Sequence, residues 1–233
     1  VVGVRWADEE IALTAGRALW WPRRRTLCVA DLHLGKAATF RHAGIPVPDT
    51  TTRADLDRLS ALVAEFGPER LVILGDLIHA RTGRSPETLE AFARWRAAHA
   101  GLDCLLIRGN HDARAGDPPA DWGLRIADEP YAEEGDAGIA FAHHPEAVAS
   151  AGGRAILCGH LHPGVRLSGP VTSLRAACFW MRPGVGVLPA FGSFTGSLVV
   201  APAVGDRVFV VADEGIAEVG RTVVRGRARG ARL

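Results

Sequence analysis

Five short apolar runs stop abruptly on polar residues: TLCVAD (26–31), LVILGD (71–76), LDCLLIRGN (102–110), GIAFAHH (138–144) and RAILCGH (154–160). Each is the length of a strand. Helical stretches separate the first three. After Asp49 and a run of threonines, Leu56, Leu59, Leu62, Val63 and Phe66 fall on one helical face, and Gly67-Pro68 ends the run. Ser85 reads as an N-cap and Pro86 as the first helical residue, followed by an apolar stripe of Leu89, Phe92 and Trp95 closed by Gly101. Strand, helix, strand, helix, strand implies parallel strands joined by right-handed crossovers.

From Pro170 onward the pattern changes. VTSLRAACFW, VGVLPAF, GSLVVAP, DRVFVVAD and IAEV are short runs punctuated by Gly, Pro and Asp, and they read as antiparallel hairpins. The expected class is α/β: a mixed sheet packed on a second, largely antiparallel sheet, with flanking helices. One domain over 1–220 is expected, with a boundary near 170 as the alternative. Residues 221–233, with Arg221, Arg225, Arg227, Arg229 and Arg232 and no acid, read as a basic, solvated tail.

The totals fit this reading. The 233 residues, 48% hydrophobic and 23% charged, are those of an ordinary globular protein, and no apolar run approaches the ~18 residues of a membrane span. The first residues, VVGVRWADEE, meet acids too early for a signal peptide. Cys28, Cys104, Cys158 and Cys178 lie far apart with no CxxC pair, which suggests buried thiols, no disulfides and a reducing cytoplasm. The net charge of +1 says nothing about nucleic acid.

Ligands in parallel α/β arrangements bind beyond the carboxyl ends of the strands. The polar clusters fall there: Asp31 and His33, Asp76, Asn110 with His111 and Asp112, His143 and His144, and His160 and His162. Adjacent strands are ~4.8 Å apart, so these tips can converge. Carboxylates, imidazoles and one amide without thiolate suit Mn, Fe or Zn rather than a structural zinc. The set exceeds the needs of one ion, and two divalent ions sharing a carboxylate would use it.

DLH at 31–33, GDLIH at 75–79, GNHD at 109–112, the histidines at 143–144 and GHLH at 159–162 resemble the five ordered motifs of the calcineurin-like metallophosphoesterases. WWPRRRTLCVADLHLGKAATFRHAGIPVP, then CFW and LPAFGSFTG, extend the resemblance to the bacterial ligase-associated DNA damage response endonucleases. The resemblance implies a dinuclear phosphodiesterase acting on DNA beside a ligase, a helicase and an exonuclease. It implies that Asp31, His33 and His162 hold one metal and Asn110, His143 and His160 the other, with Asp76 bridging. His111 would stand beside the scissile phosphate and donate to the leaving oxygen, and Asp112 would support its ring.

Other residues are less constrained. Strand alternation lets only one of His143 and His144 face the metals. His143 matches the superfamily pattern, whose His-Gly falls where this chain has His144-Pro145. His79 reads as a residue beside the metals or a surface one, and His42 and His99 as solvent or core histidines. The segment 34–48 is either a plain connector or a substrate loop, in which Lys36 and Arg41 hold flanking phosphates and Phe40 stacks a base. FGSFTG (191–196) is a Gly-rich turn, with a phosphate cradle as the alternative. Two rival functions stay open: a phosphodiesterase or phosphatase for a small nucleotide-like substrate, and a non-catalytic scaffold.

Overall fold

The computed structural model describes residues 1–47, 50–133, 138–168, 173–213 and 215–220. The tail expected at 221–233 lies outside them. The first sheet keeps chain order across its width, β1 (Val2–Trp6), β2 (Glu9–Leu13), β3 (Leu19–Trp21), β4 (Thr26–Val29), β5 (Arg70–Leu74), β6 (Asp103–Ile107) and β7 (Arg125–Ala127). Strands β1 to β4 pair antiparallel and β4 to β7 parallel.

Helices α1 (Lys36–His42) and α2 (Thr51–Phe66) cross from β4 to β5, and α3 (Pro86–Ala98) crosses from β5 to β6. A short α4 (Asn110–Ala115) follows β6. Gly67 ends α2 in the left-handed region at φ 54°, and the Ser85 hydroxyl accepts from Thr88 N at the start of α3.

The second sheet holds β8 (Ile139–Phe141), β9 (Ala155–Cys158), β10 (Pro163–Ser168), β11 (Ser173–Arg182), β12 (Val185–Val187), β13 (Leu198–Val199), β14 (Arg207–Ala212) and β15 (Gly215–Val219). Strands 8–9, 9–12 and 10–13 pair parallel, and 10–11, 11–12, 11–14 and 14–15 antiparallel. The second sheet is therefore more mixed than expected. Strands β10 and β11, on either side of residue 170, pair with each other.

Strand alternation divides the core in two. Leu27 and Val29, Leu71 and Ile73, and Cys104 and Leu106 face α2 and α3, where they meet Leu59, Phe92 and Trp95. Cys28 and Ala30, Val72 and Leu74, and Leu105 and Ile107 face the second sheet, where they meet Phe141, Leu157, Phe179 and Phe209. The central strands are buried on both faces, which is why their sequences are apolar throughout. All four cysteines are free and buried.

The fourth and fifth apolar runs do not extend the first sheet; they are β8 and β9 of the second. The N-terminal meander β1–β3 and the strand β10 are additions to the sequence reading. The β1–β2 turn carries Ala7 at φ 49° and Asp8 at φ 60°, and the β2–β3 turn carries Arg17 at φ 64°. The β1–β2 turn uses left-handed residues with no glycine to announce it, and the β2–β3 turn (14–18) puts its glycine, Gly16, beside the left-handed Arg17 rather than at that position.

Candidate metal centre

The chain leaves β4 and β5 as two extended segments held side by side. Asp31 N donates to Gly75 O at 3.1 Å, His33 N to Asp76 O at 2.9 Å and Leu34 N to Leu77 O at 2.8 Å. On the other flank Gly192 N donates to Asp31 O, and Gly159 N, leaving β9, donates to His143 O. The carboxyl ends of parallel strands from both sheets thus meet at one edge of the sandwich. The convergence runs across two sheets rather than along one.

All seven expected ligands gather there. His162 Nε2 lies 3.5 Å from Asp31 Oδ1 and 3.1 Å from His33 Nε2. His143 Nε2 lies 3.0 Å from Asn110 Oδ1 and 3.2 Å from His160 Nδ1. Asp76 stands between the groups, its Oδ2 3.8 Å from His33 Nε2 and 3.5 Å from His143 Nε2. Donor atoms about 3–3.5 Å apart are spaced like ligands around an ion with bonds of ~2.1 Å.

Backbone conformation sets these residues apart. Asp31 (φ 55°), His33 (48°), Asp76 (53°), His160 (68°) and His162 (46°) all lie in the left-handed region. That region costs an L-residue roughly 1–2 kcal/mol. Such strain at one site is a recognised mark of function. The glycines of the motifs meet a different demand. A Cβ on Gly109 would sit 2.3 Å from Asp76 Oδ1, and one on Gly159 would sit 2.5 Å from Asp31 Oδ2. Neighbouring tips approach so closely that only hydrogen fits.

The electrostatics fit a cation. Asp31 is fully buried, and its Oδ1 has no hydrogen-bond partner. An orphaned buried carboxylate oxygen is costly unless a positive charge meets it. Burial, with Asp31 adding to it, raises the Asp76 carboxyl against the pull of His143. Burial and neighbouring histidines lower His33 to about 2, so its ring is neutral and able to coordinate. His160 is lowered for the same reasons. At His162 burial acts downward, but the Asp31 carboxylate outweighs it and raises the ring.

His143 and His144 separate clearly. The His143 ring is wholly buried against Asn110, His160 and Asp76. His144 pairs through Nδ1 with Glu129 Oε1, while Glu129 Oε2 accepts both His143 N and His144 N at 2.7 Å. Glu129 is a site residue that the sequence does not single out, because it lies among several acids with no motif around it.

His111 N donates to Asp76 Oδ1 at 2.8 Å, and its Nδ1 meets the His79 carbonyl. The two rings stack with centroids 4.7 Å apart, and His79 Nδ1 lies 3.2 Å from His33 Nδ1. His79 therefore lies against His33 and His111 rather than on the open surface. Burial lowers it to about 4. Asp112 Oδ2 accepts Gly109 N at 3.0 Å and Oδ1 accepts Ile78 N at 3.1 Å, so it braces the backbone of the GNHD turn. Burial, partly offset by these bonds, pushes its pKa up to about 6.

The segment after the first tip contains helix α1. Lys36 Nζ lies 6.0 Å from the Phe194 ring, and Phe40 meets Phe194 edge-on at 5.3 Å. Arg41 Nη1 donates to Val47 O at 3.2 Å. Lys36 and Phe40 thus adjoin the FGSFTG loop, while Arg41 braces the chain beyond α1. That loop is pinned by Ser193 N donating to Asp55 Oδ2 at 3.0 Å. His99 stacks on Trp95, and His42 is exposed.

The calcineurin-like phosphoesterase family model matches residues 24–162. The solved structure of Pseudomonas putida nuclease MPE is 41% identical, covers 90% of this chain and 96% of that one, and superposes with a TM-score of 0.78. The phosphoesterase Yfce from E. coli is 16% identical, covering 86% of this chain and 99% of that one, with a TM-score of 0.42. No curated protein matches the chain.

Proposed function

Because the chain belongs to the calcineurin-like phosphoesterase family, we propose that it is a dinuclear metal-dependent nuclease hydrolysing DNA phosphodiester bonds. The likeness to the Pseudomonas putida nuclease along nearly the whole chain carries this reading. The buried His and Asp groups at the strand tips support its chemistry. In this reading Asp31, His33 and His162 hold one ion and Asn110, His143 and His160 the other. Asp76 serves both, because its Oδ2 faces His33 and His143 together. Manganese is the proposed metal, and iron or zinc would suit the same donors. A cytoplasmic role beside a DNA ligase, a helicase and an exonuclease accords with the resemblance.

Divalent ions held by these residues would neutralise charge on phosphoryl oxygens and lower the pKa of water. The protein's own groups do the rest. The Asp76 carboxylate, braced by His111 N, keeps both ligand groups in register. The His79 carbonyl holds a proton on His111 Nδ1. His111 Nε2 then carries the proton given to the leaving oxygen. Asp112 keeps Asn110 and His111 at the start of α4 by tying Gly109 N and Ile78 N together. Lys36, half-buried between α1 and Phe194, offers its ammonium to the substrate.

The test is hydrolysis of a chromogenic diester and of single-stranded, gapped and duplex DNA, with manganese and with EDTA. Metal-dependent cleavage of at least one DNA form is expected. Activity on the diester without cleavage of any DNA would move the substrate to a small nucleotide.

A further inference from the structure

A cavity of about 300 Å³ opens beside His162, between the β2–β3 turn, β11 and the FGSFTG loop. Its walls carry Arg17, Arg175, His162, Ser193, Thr195 and Ser197, and no acidic side chain lines it among the described residues. We propose that this cavity, extended by Arg166, seats a backbone phosphate of the DNA strand next to the scissile phosphate. The inference rests on the nuclease reading and adds the path of the strand to it.

Three observations carry it. The first is the pairing of like charges. Arg166 and Arg175 are direct partners across the antiparallel β10–β11 pair and point to the same face. Opposed like charges destabilise a sheet. Both are exposed, and among the described residues neither has an ion-pair or hydrogen-bond partner. An anion between or above them would remove the repulsion, and guanidinium groups suit phosphate.

The second is the conformation of Arg17. It occupies the left-handed position of a tight hairpin at φ 64°, where glycine is preferred. Turn geometry gives no reason for a long cation there. The strain places a guanidinium on the cavity wall, where it donates to Ala190 O at 3.3 Å. Burial, with the nearby Arg58 charge, lowers its pKa against the pull of Asp55. Asp55 is itself paired with Arg58 at 2.9 Å. The Asp55 ion pair is with Arg58, so the Arg17 charge on the cavity wall has no ion-pair partner among the described residues.

The third is position. His162 belongs both to the proposed metal ligands and to the cavity wall. A group in the cavity is thus one residue away from the metals. Ala177 and Ala190 keep the interior open, and the hydroxyls of Ser193 and Ser197 add neutral donors.

The experiment uses the manganese-loaded full chain and three variants, Arg175→Ala, Arg166→Ala and Arg17→Gly. Arg94→Ala, on the exposed face of α3, is the control. Cleavage is measured on a short oligothymidylate and on a thymidine dinucleotide, which has a single phosphodiester and no phosphate for the cavity. The ratio of kcat/KM for oligonucleotide over dinucleotide should fall about tenfold for Arg175→Ala and Arg17→Gly, the scale of one missing charge-assisted hydrogen bond, and less for Arg166→Ala. The log–log salt dependence of oligonucleotide binding should flatten by roughly 0.7 for each phosphate that the variant no longer neutralises. Arg17→Gly relieves backbone strain, so a fall in its ratio cannot be put down to misfolding. An unchanged ratio in all three variants, or an equal fall in Arg94→Ala, would overturn the cavity assignment while wild-type DNA cleavage leaves the nuclease reading standing. Wild-type protein that cleaves neither nucleic acid would overturn both.

Discussion

Asp76 is the residue that lies between the two halves of the proposed metal centre. One oxygen faces His33 and His143, and the other holds His111 N. Asp76→Asn keeps the shape but removes the charge, so both ions should weaken together. Elemental analysis after dialysis should show parallel loss, and one site kept at full affinity would contradict bridging. His111→Ala should keep both metals and lose ~10²–10⁴ in turnover, less on nitrophenyl esters that need no proton at the leaving oxygen. Loss of metal in that variant would make His111 a ligand. The left-handed ligands give a third expectation. His160, half-exposed at φ 68°, is strained for a histidine, and asparagine tolerates that region better. His160→Asn should leave the metal-free protein as stable or up to about 1 kcal/mol more stable, while losing the stabilisation that manganese gives. Urea unfolding with and without EDTA reads both, and a drop in metal-free stability would refute the strain argument. The proposed ligands are legible in sequence because their motifs combine rare residue types at strand ends. Glu129 and the actual work of Asp112 are not, because a backbone hydrogen bond leaves no pattern in a sequence.

Helix α1 shows no period in the sequence, because seven residues are too few to carry one. Its start depends on Gly35, at φ 74°, where a Cβ would lie 1.9 Å from Gly83 O. The backbones of α1 and the 81–83 turn touch there, and no side chain can be placed between them. Gly35→Ala should displace α1 with Lys36 and Phe40, destabilise the fold by more than the ~1 kcal/mol of an ordinary left-handed glycine, and cut DNA cleavage. Ser85→Ala is the contrasting case, removal of an N-cap that is none of the proposed ligands or substrate contacts and that should cost about 1 kcal/mol and no activity. Comparable cleavage by both variants, normalised to folded protein, would show that α1 is a plain connector. The strands divide along similar lines. Those buried on both faces announce themselves as apolar runs. β1 to β3 do not, because Ala7, Asp8 and Arg17 take the left-handed positions of their turns in place of glycine. β10 does not, because it opens on Pro163-Gly164. Nor does an apolar run reveal which sheet it joins, so β8 and β9 read as neighbours of β6 although they lie across the core from it.

At the scale of the molecule, the proposed metal centre is a clasp between the two sheets. Asp31, His33, Asp76 and Asn110 come from tips of the first sheet, and His143, His160 and His162 from tips of the second. The apolar contact of the sheets lies below it, from Cys28 and Val72 to Phe141 and Phe209. Without cations, the orphaned Asp31 oxygen and the crowded imidazoles oppose closure of that edge, while the core still holds the sheets together. Metal removal should therefore destabilise without unfolding. A ligand that binds only the folded state contributes about 2.7 kcal/mol when present at 100 times its dissociation constant. Chelation should lower Tm accordingly and leave far-ultraviolet circular dichroism unchanged. Hydrogen exchange should localise the effect. Amides of 31–34, 75–79, 109–112, 143–144 and 159–162 should lose protection together, across both sheets, while those of β4, β5 and β6 keep theirs. Loss confined to the tips of one sheet would mean that the ions do not bridge the sandwich. Global loss would mean that the apolar contact below them cannot stand alone.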